Sequence, residues 1–225
     1  MGDISNSINK QFDEVAEEYD FVSELFNNNN FFISNMSSNK NRVLDIGCGS
    51  GILTLELSKH YGEVIGIDIS EEMLSIAKSK RQRDNISYIN MDANKLCFEK
   101  TFDFIVSRTT FHHLSNIQSV LKQMKSMLNK GGKIVILDNV SKVETPPRWA
   151  YIVGAFQDFL PNSFKYGVKT AIRVFKHSIS KHWLEHLAND KYLSAEKYKE
   201  IFGECLPNCS YIKETVFMGV IWEKK

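Results

Sequence analysis

Three closely spaced glycines form a loop that can bring the backbone close to a ligand. Gly47, Gly49 and Gly51 follow an apolar run at 42–46, and apolar residues with helical spacing begin directly after them. Where a strand passes into a helix, glycine allows a tight turn and a close approach of the backbone to a ligand. The spacing is GxGxG and differs from the GxGxxG of dinucleotide enzymes. The loop predicts a ligand site, or else only the turn that joins a strand to a helix.

Carboxylates stand at the ends of the predicted strands. Asp45 lies just before the glycines, Asp68 ends the second apolar run and Asp92 follows the third. A carboxylate at the tip of the second strand can accept hydrogen bonds from ribose hydroxyls, and Asp92 is placed where an adenine amino group could be met. Asp68 could instead cap the helix that begins near Ser70, and Asp92 could be a turn residue.

Polar side chains that could assist a reaction follow the fourth apolar run, and we take Arg108, His112 and His113 as the candidate catalytic residues. A histidine has an ordinary pKa of about 6.5, so either histidine could act as a base. Each could also be a structural residue of the loop. Arg108 could steer an anionic substrate or pair with an acid of the scaffold.

A second pair of histidines matches a metal-site pattern. His182 and His186 fit the HxxEH pattern of some zinc proteases, and residues four apart share one face of a helix. No third ligand is apparent from the sequence. We therefore expect a helix with histidines on its surface and no metal site, with a pocket role for either histidine as the alternative.

The order of the apolar runs predicts an α/β fold. Runs typical of buried strands alternate with amphipathic helices, which indicates a parallel sheet with helices on both faces. Gly131 and Gly132 are expected to end a helix at 116–128. Two runs near the end of the chain are expected to pair as antiparallel strands at the sheet edge. The strands are predicted at 42–46, 63–68, 86–91, 102–106, 133–140, 209–214 and 216–222.

This series of elements and motifs resembles the class I methyltransferases that use S-adenosylmethionine. VLDIGCGSG at 43–51 matches the first motif of that family, and GIDIS at 66–70 resembles its second. The MDA stretch at 91–93 resembles the adenine-contact motif. LNKGG at 128–132 resembles the LKPGG turn, with Asn and Lys where Lys and Pro are usual. The resemblance covers about 12–140 and implies a Rossmann-like seven-stranded sheet, mostly parallel with an antiparallel last strand.

By that resemblance the chain binds S-adenosylmethionine and releases S-adenosylhomocysteine. Asp45 and the glycine loop would lie along the methionine end of the cofactor, Asp68 would bind the ribose, and Ile69 and Met73 would flank the adenine. Tyr19 would close over the cofactor, or it could be a core residue. The residues implied to bind the cofactor are Tyr19, Asp45, Gly47, Cys48, Gly49, Gly51, Asp68, Ile69, Met73, Asp92, Ala93 and Ser107.

The whole chain is expected to form a single domain with four parts. These are an N-terminal helical cap at 1–40, a cofactor-binding core at 41–143, a helical lid at 144–190 and a final helix and strand pair at 191–225. The lid is rich in aromatic residues, which would suit a planar or apolar acceptor. Core packing of the lid helices is the alternative for any one of these aromatics.

The composition limits which partners and which cellular compartment are expected. The 225 residues carry a net charge of +1, whereas nucleic-acid binding usually needs a clearly basic face, so no nucleic-acid partner is expected. No run of 18 apolar residues predicts a membrane span, and the polar N-terminus does not resemble a signal peptide. The four cysteines are expected to be free thiols in a cytoplasmic protein.

The sequence therefore predicts methyl transfer to a small-molecule acceptor, at an oxygen, nitrogen or carbon atom, in a biosynthetic or tailoring pathway. The fourth strand is not followed by the Asn-Pro-Pro-Tyr-like turn of enzymes that methylate adenine or glutamine amides. The alternatives are a protein or RNA methyltransferase, and a cofactor-binding partner subunit without catalytic activity. The acceptor and the oligomeric state are not predicted.

Overall fold

A computed structural model describes residues 16–225 and places seven strands in one sheet. The strand order is β3-β2-β1-β4-β5-β7-β6. The first five strands pair in parallel, and β7 is antiparallel to both β5 and β6. The predicted Rossmann-like sheet with an antiparallel last strand is confirmed. The strands are β1 (Arg42–Ile46), β2 (Glu63–Asp68), β3 (Ile86–Asn90), β4 (Phe102–Arg108), β5 (Leu128–Asn139), β6 (Ser210–Glu214) and β7 (Phe217–Glu223).

Helices lie between the strands and follow β5. The N-terminal helical cap expected at 1–40 falls partly outside the described residues. Two short 3-10 turns, Ala93–Lys95 and Phe111–His113, follow β3 and β4. The helices are α1 (Ala16–Leu25), α2 (Asn30–Ser34), α3 (Ile52–Leu57), α4 (Glu71–Arg81), α5 (Ile117–Met127), α6 (Arg148–Tyr166), α7 (Val168–Ser178), α8 (Lys181–Leu187) and α9 (Ala195–Cys205).

Within the described residues, no helix combines the length and the apolar character needed to cross a membrane.

The sheet is buried on both faces, as its apolar runs predict. On one face, Ile105 of β4 belongs to a core cluster with Leu121 of α5 and Phe202 of α9. On the other face, Phe104 of β4 belongs to a cluster with residues of α2, α3 and α4. The ring of Tyr61 stacks on Phe104 with 5.7 Å between the ring centroids. This sandwich fixes the carboxyl ends of β1 to β5, where the loops of the site begin.

Gly131 and Gly132 do not end a helix, so that prediction was wrong. Helix α5 ends at Met127, and both glycines lie inside β5, close to a shift in its register with β4. Gly131 has φ of 74°, and a Cβ on Gly132 would stand 2.8 Å from the carbonyl oxygen of Asp103. The glycines therefore permit an irregular strand start that passes close to the neighbouring strand.

A buried ion pair joins α1 to α4. Asp20 is 0% exposed and its Oδ1 lies 2.8 Å from an Nη atom of Arg81, while Oδ2 accepts a hydrogen bond of 2.7 Å from Lys80. The same guanidinium donates to the carbonyl of Ser50 in the glycine loop at 3.0 Å. Burial alone would raise the pKa of Asp20, but Lys80 and Arg81 outweigh it and lower the pKa.

We expect Asp20→Asn to reduce the free energy of unfolding at neutral pH by about 3 kcal/mol, because Arg81 would stay buried without its carboxylate. Since the folded-state pKa of Asp20 is lowered, its ion pair contributes fully above the unfolded value of 3.8 and is lost as the pH falls through the lower folded value. The difference between wild type and variant should therefore be constant from pH 5 to about 8 and shrink below about pH 4. Denaturant titrations at several pH values measure it. An undiminished difference in acid would contradict this assignment.

Candidate cofactor and acceptor site

The glycine loop is fastened to the end of β2 by backbone hydrogen bonds. Gly47 and Cys48 donate their N–H groups to the carbonyl of Ile67, each at 2.9 Å. The N–H of Gly49 donates to Oδ2 of Asp68 at 2.8 Å. The loop after β1 and the tip of β2 therefore form one rigid surface at the carboxyl edge of the sheet.

The loop after β4 lies directly against the glycine loop. Gly47 has φ of 70°, and a Cβ built on it would stand 2.1 Å from Oγ1 of Thr110. Thr109 has φ of 50°, a conformation that a β-branched residue rarely adopts. Strained backbone of this kind often marks a functional site. Ser107, at the end of β4, is fully buried and donates from Oγ to the carbonyl of Ile46 at 2.8 Å.

Asp45 is a buried carboxylate without a salt bridge to any described residue. It is 1% exposed, and its Oδ2 accepts a hydrogen bond of 2.6 Å from Thr54. Burial, reinforced by the nearby charge of Asp68, raises the pKa of Asp45 to about 7. A cationic group of a ligand would stabilise its ionised form.

The carboxylates of Asp68 and Asp92 accept hydrogen bonds from nearby backbone N–H groups. Oδ1 of Asp68 accepts from the N–H of Ser70 at 2.9 Å, whereas Ser70 itself caps α4 by accepting from Met73 at 3.1 Å. Asp68 is thus not the N-cap of α4. Asp92 accepts from the N–H of Asn94 at 2.9 Å and caps the following 3-10 turn. Since a carboxylate has about four acceptor positions, both can still accept further hydrogen bonds.

The remaining predicted cofactor residues lie around these loops. Cys48 and Met73 are buried, and the methyl group of Met73 lies 3.1 Å from the position of a Cβ on Gly49. Ile69 and Ala93 follow the ends of β2 and β3 and are half-buried. The fold therefore brings the predicted set to one edge of the sheet.

Tyr19 of α1 meets α8 beside the loop after β4. Its ring lies 5.5 Å from the ring of Trp183, measured between centroids. Burial raises the pKa of Tyr19, and Thr109, Arg108 and Asp68 are near enough to contribute. Helices α1 and α8 thus meet above the loops that follow β2 and β4.

Arg108 has a role that the sequence did not indicate. One of its Nη atoms donates to the side-chain oxygens of Asn27 and Asn29, each at 3.0 Å. No described acid forms a salt bridge with it, so the alternative that it pairs with an acid of the scaffold is not found. Arg108 fastens the polar turn between α1 and α2 to the end of β4.

His112 is held by a carboxylate at the end of β5. Its Nδ1 lies 2.6 Å from Oδ1 of Asp138, and its backbone N–H donates to Oδ2 at 2.9 Å. Burial favours the neutral form of His112, but the Asp138 carboxylate outweighs it and raises the pKa of the imidazole. The pair is a fixed, buried proton-acceptor arrangement.

Three imidazoles gather around Asp190, which follows α8. Nε2 of His112 lies 3.9 Å from Oδ2 of Asp190, Nδ1 of His113 lies 3.4 Å from Oδ1, and Nε2 of His186 lies 3.9 Å from Oδ1. Burial lowers the pKa of both His113 and His186. His186 is 4% exposed, so the expectation of a surface histidine was wrong there, whereas it holds for His182.

Asp138 and Asp190 were missed by the sequence analysis. Asp138 carried a usable signal, because it is a polar residue at the carboxyl end of a buried strand, the same position as Asp45 and Asp68. Asp190 carried none, since only the packing of α8 against the loop after β4 brings it to His112 and His113.

The aromatic residues of α6 to α8 face in different directions. Trp183 contacts Tyr19, His177 and His186 with ring separations of 4.7 to 5.5 Å. Phe156 is 63% exposed and touches Phe175 on the outer side of α6 and α7. Trp183 therefore borders the site, whereas Phe156 does not.

A groove of about 720 Å³ lies beside the turn between α1 and α2. It is lined by 25–30 together with Ile33, Glu56, Lys165 and Tyr166. None of the predicted cofactor or catalytic residues lines it, so it does not mark the site described above.

Known methyltransferases are similar to this chain in sequence. A family model described as a methyltransferase domain matches residues 44–136. Demethylmenaquinone methyltransferase of Staphylococcus saprophyticus is 30% identical over 184 residues, which cover 79% of this chain and 74% of that enzyme. Malonyl-acyl-carrier-protein O-methyltransferase of Bacillus cereus is 33% identical over 93 residues, and the match covers 40% of this chain and 35% of that enzyme.

The fold is also found in solved structures. A DhpI–SAH complex superposes with a TM-score of 0.67 and covers 98% of this chain and 97% of the other. The two sequences are 15% identical, so the likeness concerns the fold.

We expect Gly47→Ala to destabilise the chain much more than Gly131→Ala. Both positions have positive φ, so each alanine should cost about 1 kcal/mol of unfolding free energy. A Cβ on Gly47 would also collide with Oγ1, Cγ2 and Cβ of Thr110, whereas one on Gly131 meets nothing within 4 Å. Overpacking should add about 1–3 kcal/mol at Gly47. Denaturant titration measures the difference, and equal losses would show that the two loops are not in close contact.

Proposed function

The chain belongs to the class I S-adenosylmethionine-dependent methyltransferases, and we propose that it methylates a small-molecule acceptor held between the loop after β4 and helices α1 and α8. The observation that carries this proposal is the buried His112–Asp138 pair, which lies at the same edge of the sheet as the glycine loop. Enzymes with different acceptors are among its relatives, namely demethylmenaquinone and malonyl-acyl-carrier-protein methyltransferases. The demethylmenaquinone enzyme supports a small-molecule acceptor, whereas the acceptor of the second relative is a malonyl group on a carrier protein.

The residues of the glycine loop fit S-adenosylmethionine. The methionine end of this molecule carries an ammonium group, and Asp45 is a buried carboxylate that forms no salt bridge with a described residue. Positive φ at Gly47, Gly49 and Gly51 gives the loop a tight turn that glycine adopts readily. A Cβ at these three positions would meet Thr110, Met73 and Tyr88, so the glycines also let the loop pack closely against its neighbours. The cofactor supplies a methyl group on a sulfonium, which is the electrophile of the reaction.

The cofactor's remaining groups have partners along the same edge. We assign its ribose to Asp68 and the edge of its adenine to Asp92 and Ala93, with Ile69 and Met73 against the ring. Tyr19 covers it from α1. Ser107 and Cys48 lie beneath it and keep β4 and the loop after β1 in place.

The acceptor needs a position in line with the methyl group and a route for its proton. We assign proton acceptance to His112, which Asp138 orients, and contact with the acceptor to His113. Arg108 positions the turn between α1 and α2 and acts through that turn. Methyl transfer forms the bond from the acceptor to carbon and breaks the carbon–sulfur bond, whose electron pair stays on sulfur.

Residues 144–190 act as the lid in this proposal, because their helix α8 places Trp183 against Tyr19. Closing the site would exclude water from the sulfonium. Helix α1, the described part of the expected N-terminal cap that carries Tyr19, completes the cover from the other side.

We expect the affinity for S-adenosylhomocysteine to increase as the pH rises through about 7. Asp45 is protonated below this value and ionised above it, and only the ionised form attracts the ligand's ammonium group. Asp45→Asn should weaken binding at pH 8 by roughly 10- to 100-fold and should show a flatter pH profile, since a hydrogen bond to a charged group contributes about 1.5–3 kcal/mol. Calorimetric titration at pH 6, 7 and 8 measures both effects. The assignment fails if the variant keeps the wild-type pH profile.

Asp68→Ala should lower the affinity for S-adenosylhomocysteine by a similar factor at pH 6, 7 and 8, because the Asp68 carboxylate is assigned to ribose hydroxyls. Leu55→Ala, a change at a half-buried side chain of α3, serves as the control for general loosening. Wild-type affinity in Asp68→Ala would contradict the assignment of Asp68 to the ribose.

We expect Trp183→Ala to reduce acceptor methylation at least tenfold, while Phe156→Ala leaves it within twofold. The reason is that Trp183 borders the site and Phe156 is 63% exposed. The protein is incubated with isotopically labelled S-adenosylmethionine and a small-molecule extract, and mass spectrometry identifies the labelled product. Circular dichroism and cofactor titration then show that both variants are folded. Equal turnover by the two variants would contradict the assignment of α8 to the acceptor site.

A further inference from the structure

The side chains around Asp190 have the spacing of a metal coordination shell. The three nitrogen-to-oxygen separations are 3.4, 3.9 and 3.9 Å, longer than the usual hydrogen-bond range of about 2.7–3.2 Å. Ligands placed about 2.0–2.1 Å from a tetrahedral zinc ion lie roughly 3.3 Å from one another. Ligand atoms of His112, His113 and Asp190 all lie within 4.8 Å of one another. A small contraction of the cluster would bring them to bonding distance of one ion.

The hydrogen bonds of Asp190 leave one oxygen available. Oδ2 accepts from the hydroxyl of Tyr192 at 2.7 Å. Oδ1 is buried and accepts no hydrogen bond from a described residue. Buried carboxylate oxygens are normally satisfied by a donor, an ordered water or a cation. Since Oδ1 is the oxygen nearest to His113, it is suited to bind a cation there.

The other partners of His112 support the same interpretation. Asp138 engages Nδ1 of His112 at 2.6 Å and thereby leaves Nε2 on the side of Asp190. Histidines that bind metals almost always donate their second ring N–H to a carboxylate or carbonyl. This carboxylate fixes the tautomer in which Nε2 carries a lone pair. The arrangement is that of a metal ligand with its supporting partner.

We propose that His112 Nε2, His113 Nδ1 and a carboxylate oxygen of Asp190 bind one divalent transition-metal ion of the zinc class. Imidazole nitrogens with one carboxylate suit Zn²⁺ and Co²⁺. Three protein ligands leave a coordination position open, as in catalytic zinc sites. This revises the expectation of no metal site, which considered only the histidines of α8. His186 lies beside Asp190 as a neighbour of the site.

The inference rests on the proposed function only for the location of the acceptor. With an ion bound, His112, His113 and Asp190 would hold it, and the ion would take over the task that was assigned to His112 alone. It would lower the pKa of an acceptor hydroxyl at the open position, so that the hydroxyl would lose its proton to water more readily and become a better nucleophile toward the methyl group. The site therefore favours an oxygen acceptor.

The test uses the full chain, with any affinity tag removed, after dialysis against a chelator. Calorimetric titration with Zn²⁺ should show one equivalent bound with micromolar or tighter affinity. Co²⁺ should give the visible absorption of a four-coordinate site. Asp190→Asn keeps the shape of the side chain and should weaken Zn²⁺ binding at least 100-fold, while His182→Ala, on the exposed side of α8, should bind Zn²⁺ like wild type.

If Asp190→Asn does not fold, the effect of Zn²⁺ on the Tm of other variants tests the same site. Saturating Zn²⁺ should raise the Tm of wild type and of His182→Ala, but should leave the Tm of His113→Gln unchanged. Failure of wild type to bind Zn²⁺ or Co²⁺, or equal binding by Asp190→Asn, would overturn the site.

Turnover separates this inference from the proposed function. Chelated enzyme that methylates an acceptor at the full rate would retain the proposed function and overturn the role of the ion. Stoichiometric Zn²⁺ binding that is lost in Asp190→Asn, without methyl transfer by either form, would uphold the site and overturn the proposed function.

Discussion

The buried contact between Asp20 and Arg81 is the constraint on which the site depends. One guanidinium pairs with α1 and donates to the carbonyl of Ser50, so α1, α4 and the glycine loop share a single anchor. Because both charged groups are nearly inaccessible to solvent, neither can leave the other without a large desolvation penalty. Tyr19, one position before Asp20, is thereby fixed above the loop after β4. The cover of the site is thus set by electrostatics at its base.

Local patterns were enough to predict that the glycine loop and the carboxylates at the strand ends lie together at one edge of the sheet. The strand ends at Asp45 and Asp68 and the glycines between them lie within a short stretch of chain, and each follows from a rule about strands, turns or caps. Gly131 and Gly132 show where such rules fail. A glycine pair after a helix resembles a stop signal, but hydrogen bonding to β4 extended β5 back to Leu128. Tertiary pairing outweighed the local preference there.

The part of the site that we assign to the acceptor is formed by contacts between distant parts of the chain. Asp138 reaches His112 because β5 lies next to β4, and Asp190 reaches both histidines because α8 packs over the loop. No single window of sequence contains this cluster, and the HxxEH pattern pointed to His182, which is exposed, as much as to His186. Arg108 likewise binds two asparagines rather than an acid. Predicting such partners requires the fold first.

This contrast between a local motif and long-range contacts explains why the family is easier to establish than the acceptor. The cofactor is common to the family, so its partners recur in a compact motif, whereas the demethylmenaquinone and malonyl-acyl-carrier-protein enzymes act on different acceptors. In this chain, two carboxylates, Asp138 and Asp190, are buried among three imidazoles. Buried carboxylates are costly unless a cation compensates them. That compensation can come from a proton on His112 or from a bound metal ion, and either one would place positive charge where an acceptor oxyanion develops. Selection among acceptors would then follow from charge at the base of the pocket as well as from the shape of its aromatic wall.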